Sequence, residues 1–196
     1  MLRFIGFYDY TVVLTYMSLV SAVLGMMFSA KNAFSAAVLC LMISGICDAF
    51  DGTVARTKKN RTEDEKAFGI QLDSLCDVIS FGVFPAFLCY CMGVSGMIGI
   101  IILCAYCTCA VIRLAFFNVL EGKRQKTESG SNKFYRGLPV TSISMIFPMV
   151  YILKNLISSI AFILVLHIIM AVVAFLFVYD FKMKKPNIAK LFSLKK

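Results

Sequence analysis

The chain has 196 residues, of which 60% are hydrophobic and only 16% charged, with a mean hydropathy of +0.83. That composition excludes an ordinary soluble globular domain and points to a multi-pass membrane protein. The net charge of +9 does not point to nucleic acid either, because the cations are sorted by loop: one at the N-terminus (Arg3), five over residues 56–66, five over 123–136 and six from residue 182 onward, against Lys31 and Lys154 on the other side and Arg113 inside an apolar run. Such a one-sided bias predicts that both termini face the cytoplasm from a cell membrane, with anionic lipid headgroups as neighbours.

Six hydrophobic spans are predicted in chain order, giving an all-α fold of about six transmembrane helices in a single membrane domain over residues 1–196. No cleavable signal pattern is expected before the first span, residues 10–29, because Arg3 is the only basic residue ahead of an apolar segment long enough to cross. A tight external turn at 29–31 leads to a second span at 32–57, whose last turns protrude toward the cytoplasm. The third runs over 66–92, and Pro85 is expected to kink it where a neighbour or water satisfies the freed carbonyl. An uncharged turn at 93–96 precedes the fourth span, 97–121. There Arg113 is expected to face the protein interior and Asn118 to lie with it near the cytoplasmic mouth. Residues 122–137 read as the longest loop, either a solvated connector or a flap over the site. Pro139 suits the first turn of the fifth span, which reaches residue 155, and the sixth covers 158–181 before the basic tail.

Eight cysteines lie mostly within these apolar runs without clustered histidines; Cys104 and Cys107 read as packing residues, and the solitary His167 as hydrogen-bonded within the bundle. Small residues on the helix faces permit close packing.

Against this background one stretch is anomalous. It reads Asp48-Ala-Phe-Asp51-Gly52-Thr-Val-Ala55-Arg56, then twelve residues, then Gly69-Ile-Gln-Leu-Asp73-Ser-Leu-Cys-Asp77. Four carboxylates thus sit at the ends of apolar spans, where full burial at mid-membrane without partners would cost on the order of 10–14 kcal/mol. At about 100° per residue, Asp48 and Asp51 project about 60° apart and Asp73 and Asp77 about 40° apart, so each pair shares a helix face. Two such faces brought together form a hard oxygen ligand set suited to Mg²⁺ or Mn²⁺, and two divalent ions would balance four negative charges. Gly52 and Gly69 leave the backbone beside the acids open to a bulky ligand, Ala55 keeps the next turn small, and Arg56 supplies a cation for phosphate oxygens. The spans hold too few basic residues to pair all four acids. A cation transporter would also place carboxylates in spanning helices, but nearer mid-depth and with paired broken helices. A noncatalytic membrane scaffold is the other alternative.

The pattern Asp-x2-Asp-Gly-x2-Ala-Arg-x12-Gly-x3-Asp-x3-Asp resembles the signature of the CDP-alcohol phosphotransferase family, membrane enzymes of phospholipid synthesis. The resemblance implies transfer of a phosphatidyl group from a CDP-linked lipid, CDP-diacylglycerol or CDP-archaeol, to an alcohol with release of CMP. It implies that Asp48, Asp51, Asp73 and Asp77 hold the metal ions, that Asp77 is also the general base, and that Gly52, Ala55, Arg56 and Gly69 lie along the CDP-lipid site. It also implies a homodimer.

Arg113-Leu-Ala-Phe-Phe-Asn118 and Phe134-Tyr-Arg136-Gly137-Leu-Pro139 resemble the corresponding segments of integral-membrane phosphatidylserine synthases. L-serine is therefore the expected acceptor, with Arg113 or Arg136 meeting its carboxylate and Asn118 its polar head. Phe116 stands where serine-type members usually carry a second arginine, and Gly122-Lys-Arg-Gln-Lys-Thr faintly resembles the branch that uses glycerol phosphate. Glycerol 3-phosphate and inositol or its phosphate thus remain open as acceptors.

Overall fold

A computed structural model of the chain describes residues 6–55, 57–58, 60–127 and 134–184. Among these residues, five helices are long and apolar enough to cross a membrane: Tyr10–Ala30, Phe34–Ala55, Glu63–Cys91, Gly96–Leu120 and Ser159–Val178, with a shorter apolar helix at Val140–Asn155. The all-α, multi-pass expectation holds, and the expected fifth span is the short one.

The first two crossings form a hairpin. A 3-10 turn, Tyr10–Val12, leads into α1, Val13–Ala30, and α2 covers Phe34–Ala55. Helix α1 ends at Ala30, one residue beyond the expected end of the first span, and Asn32 closes the connection at φ 58°. The facing surfaces carry small hydroxyl residues whose donors are satisfied across the interface: Ser21 Oγ donates to Cys40 O (2.9 Å), and Ser18 and Ser44 exchange side-chain-to-backbone hydrogen bonds (3.2 and 2.6 Å). In an apolar environment such pairs let the backbones approach without leaving a polar group unmet.

The third crossing is built from α3 (Glu63–Asp77), a π-helical turn (Val78–Val83) and α4 (Phe84–Cys91). It starts three residues before the expected Lys66 because Thr62 and Glu65 form a capping box. Thr62 Oγ1 accepts from Glu65 N (3.2 Å), Glu65 Oε2 accepts from Thr62 N (2.9 Å), and three acids occupy the favoured first turn. Pro85 has no N–H for Phe81 O, four residues earlier. The wide turn absorbs this loss, and Tyr106 from the next crossing donates its hydroxyl to Phe81 O at 2.6 Å. The expected neighbour is thus a fully buried tyrosine.

Helix α5, Gly96–Thr127, continues six residues beyond the predicted end of the fourth span. Residues 122–127 are therefore helix rather than loop. Lysine, arginine and glutamine are good helix formers, and cations suit a helix C-terminus. Strand β1 (Phe134–Arg136) follows, then a 3-10 turn at Val140–Ser142, α6 (Ile143–Ile152) and α7 (Ser159–Val178). Strand β2 (Lys182–Lys184) pairs antiparallel with β1, a ribbon not expected among the predicted helices, while Gly137, at φ 72°, donates its N–H to Phe181 O (2.7 Å). His167 Nδ1 lies 2.8 Å from Ile163 O, and all eight cysteines are free.

Two helix contacts depend on a missing side chain. A Cβ on Gly25 would overlap the Phe84 ring, and one on Gly45 would overlap the Ser144 side chain, so α1 meets α4 and α2 meets α6 at glycine. Gly45→Ala is expected to destabilise the protein by about 1–3 kcal/mol through overpacking. Adding Ser144→Gly should restore most of the loss, as read by thermal unfolding in detergent.

Candidate active site

The acidic faces of α2 and α3 meet. Asp48, Asp73 and Asp77 each offer a carboxylate oxygen, and the three oxygens lie within 4.8 Å of one another. Asp48 lies against Asp77 and Asp51 against Asp73, so the fourth acid joins through its neighbour. Asp51 also accepts from Thr15 Oγ1 (3.2 Å), which brings α1 into the site. Asp77 is only 8% exposed.

Negative charges this close repel by about 3.5 kcal/mol per ionised pair at an effective dielectric of 20, and no lysine or arginine ion-pairs with them among the described residues. Asp73 Oδ1 is buried without a hydrogen-bond partner. An orphaned carboxylate oxygen in an all-oxygen cluster fits a hard divalent cation.

The π-helical turn begins immediately after Asp77. Its carbonyls are met from α5: Tyr106 reaches Phe81 O, and Cys107 Sγ lies 3.6 Å from Gly82 O. Ser80, in the same turn, lies 3.5 Å from Ser18 Oγ, so buried hydroxyls sit beneath the acids. Nothing in the sequence spacing marks Thr15 or Ser80 as part of the site, because only tertiary packing brings them to the cluster.

Gly52 and Ala55 are half-buried on the last turns of α2, while Arg56 lies outside the described residues. Gly69 stands one turn before Asp73 on α3, and Arg61 lies over it, 2.7 Å from where a Cβ would be. The residues expected to receive the acceptor are not all together. Asn118 Oδ1 accepts from Ser74 Oγ (2.9 Å), beside Asp73. Arg113 is 6% exposed and turns the other way: its Nε donates to Leu138 O (3.2 Å), and its guanidinium lies 5.8 Å from the Phe117 ring centre. Five residues on a helix put the two about 140° apart. Arg113 borders a cavity of about 190 Å³ whose walls include Phe116, Gly137, Phe177 and Asp180. Of Arg136 the backbone is described, paired with Lys182.

A clasp closes the same end of the bundle. Lys58 Nζ bridges Asp9 Oδ2 (2.8 Å) and Glu65 Oε1 (3.0 Å), Tyr10 and Thr57 hydroxyls lie 3.2 Å apart, and Phe7 meets Phe68 edge-on. The Lys58 ammonium and the Thr11 hydroxyl hold the Asp9 carboxyl down at about 2, below its usual 3.8, and Asp9 in turn raises Lys58 above 10.5. A depressed acid stabilises above its unfolded value, and a raised lysine stabilises below its own. The clasp is therefore complete between about pH 4 and pH 10, loosening as pH falls toward 2 or rises past the raised lysine value. Lys58→Met should speed proteolytic cleavage near residues 57–62 at neutral pH relative to the parent, and an unchanged cleavage rate would mean the clasp does not hold this segment.

An all-α membrane bundle with a carboxylate cluster at one end, suited to divalent cations, defines the class. The sequence profile described as CDP-alcohol phosphatidyltransferase matches residues 10–179, and the chain belongs to that family. It is 36% identical over 117 residues to the CDP-diacylglycerol–serine O-phosphatidyltransferase of Saccharomyces cerevisiae, covering 58% of this chain and 41% of that protein. It is also 36% identical over 121 residues to the archaetidylserine synthase of Methanothermobacter thermautotrophicus, covering 61% and 48%. A CDP-diacylglycerol–serine O-phosphatidyltransferase of Helicobacter pylori is 32% identical over 140 residues, covering 69% and 55%. The chain thus spans about half the length of these relatives. No solved structure matches it.

Proposed function

We propose that the protein transfers a phosphatidyl group from CDP-diacylglycerol, or the archaetidyl group from CDP-archaeol, to the hydroxyl of L-serine, releasing CMP. The observation that carries this reading is the convergence of Asp48, Asp73 and Asp77 on one point, with Asp51 beside them. The serine-specific names of the relatives support the choice of acceptor.

In this reading the four aspartates hold two divalent ions, Mg²⁺ or Mn²⁺, which when bound neutralise the donor's diphosphate and the departing CMP. Gly52, Ala55, Arg56 and Gly69 line the nucleotide and diphosphate. Asp77 takes the serine hydroxyl proton as that oxygen bonds to the lipid-side phosphorus and the bond from this phosphorus to the CMP oxygen breaks. Asn118, hydrogen-bonded to Ser74, orients the acceptor's polar head, and Arg136 meets its carboxylate, Arg113 having turned away toward Leu138 O. The acyl chains stay in lipid or between the helices. The site and both termini face the cytoplasm, in keeping with the distribution of lysine and arginine, and the chain acts as one domain and as a homodimer.

The test is an acceptor panel. Purified full-length protein with CDP-diacylglycerol and Mg²⁺ or Mn²⁺ receives serine, glycerol 3-phosphate, inositol, inositol phosphate or ethanolamine in turn, and CMP is measured. Serine-dependent release is expected. Release with glycerol 3-phosphate alone would overturn the serine assignment, and no release with any alcohol would overturn the enzyme reading.

A further inference from the structure

Gly69 and Asp73 are four residues apart on α3 and share a face, so the notch at Gly69 opens one turn outward from the acidic cluster. That notch is filled by Arg61. A Cβ at Gly69 would fall 2.7 Å from Arg61 Nη2 and 3.8 Å from its Cζ, so the guanidinium lies against bare helix backbone. One hydrogen bond holds it, from Nη2 to Glu65 O at 3.0 Å. Arg61 Nε is buried and has no partner. The obvious carboxylate, Glu65, is committed to Lys58 and to the Thr62 N–H, and none of the ion pairs among the described residues includes Arg61.

A guanidinium with a buried, unmet donor beside a metal-binding carboxylate cluster is poised for an anion. Its planar fork matches phosphate oxygens in a way a lysine does not. We infer that Arg61 is a binding residue for the diphosphate of the CDP-lipid donor, seated in the Gly69 notch so that its unused N–H groups meet phosphate oxygens at the mouth of the site. The inference rests on the functional reading above. Phosphate oxygens are also offered by headgroups of the surrounding lipid. The burial of Nε and the position beside Asp73 favour the donor, since a bulk headgroup would reach exposed cations first.

The experiment compares the full-length parent with Arg61→Gln, Arg61→Lys and Gly69→Ala, in neutral detergent and in vesicles containing phosphatidylglycerol. It reads CDP binding by equilibrium dialysis with Mg²⁺ present, donor and acceptor KM, kcat and Tm. In neutral detergent, Arg61→Gln should weaken CDP binding and raise donor KM about tenfold or more, with kcat and acceptor KM little changed. Arg61→Lys should recover part of the loss, supplying charge without the fork. Gly69→Ala, which displaces Nη2, should reproduce the defect, and combining it with Arg61→Gln should add little, since both remove one interaction. Unchanged CDP affinity and donor KM with a lowered Tm would overturn the inference in favour of a packing role, and Arg61→Lys carries the same test if Arg61→Gln does not fold. A defect confined to phosphatidylglycerol vesicles would overturn it in favour of bulk headgroups. A parent protein that neither binds CDP nor releases CMP would overturn the functional reading itself.

Discussion

Asp77→Asn is expected to reduce CMP release by about 10³- to 10⁴-fold, the upper part of the range for loss of a general base, while the protein stays folded. Asparagine keeps the shape of the side chain but could serve neither as the proposed general base nor as the proposed anionic ligand to a divalent ion. Asp77 is the most buried of the four acids and lies against Asp48, so a charge there is opposed by its neighbour. Removing it should leave Tm unchanged or raise it when divalents are absent, the usual sign of a residue kept for function rather than stability. Near-parental turnover with the asparagine in place would point to a noncatalytic scaffold. A fall in Tm that tracks the fall in activity would mean that Asp77 holds the fold.

Chelation should have an effect of similar size. Removing divalent ions is expected to abolish CMP release, and Mg²⁺ or Mn²⁺ should restore it. The crowding of Asp48, Asp73 and Asp77 within 4.8 Å is stable only when positive charge is present or protons are taken up. A cation that binds the folded site alone also stabilises it, by about 2.7 kcal/mol at a hundred times its dissociation constant, so Tm should rise with added divalents. Asp73→Asn alters the proposed ligand whose Oδ1 is buried without a hydrogen-bond partner. It should raise the metal concentration for half-maximal activity about tenfold or more, by analogy with the effect of altering ligand shells. Asp9→Asn, which touches only the clasp, should leave that concentration where it is.

The acidic pairs were legible in the sequence because the period of the α-helix alone puts Asp48 with Asp51 and Asp73 with Asp77 on shared faces. The spans were legible because a run of about 20 apolar residues has few other uses. The start of α3 was equally readable, since Thr62-Glu-Asp-Glu65 is a capping-box pattern. Its charge made it look like a connector instead. The 140° separation of Arg113 and Asn118 also follows from the sequence, although closeness along the chain suggested a common pocket. Other features were not legible. Tyr106 meets the carbonyl that Pro85 frees only because two crossings pack at one register. Strands β1 and β2, three residues each, exist only through pairing across 45 residues of chain. Arg61 finds Gly69 through the turn that precedes α3, and nothing in the spacing of a loop residue specifies where its side chain lands.

If the facing carboxylates of α2 and α3 form a divalent-cation site, Mn²⁺ binding to the purified full-length protein reports it without requiring turnover. Electron paramagnetic resonance with equilibrium dialysis should count two Mn²⁺ per chain, displaced by Mg²⁺ and lost when Asp48→Asn and Asp73→Asn are combined. A parent protein that binds no Mn²⁺, or a double variant that binds as many ions as the parent, would contradict the account.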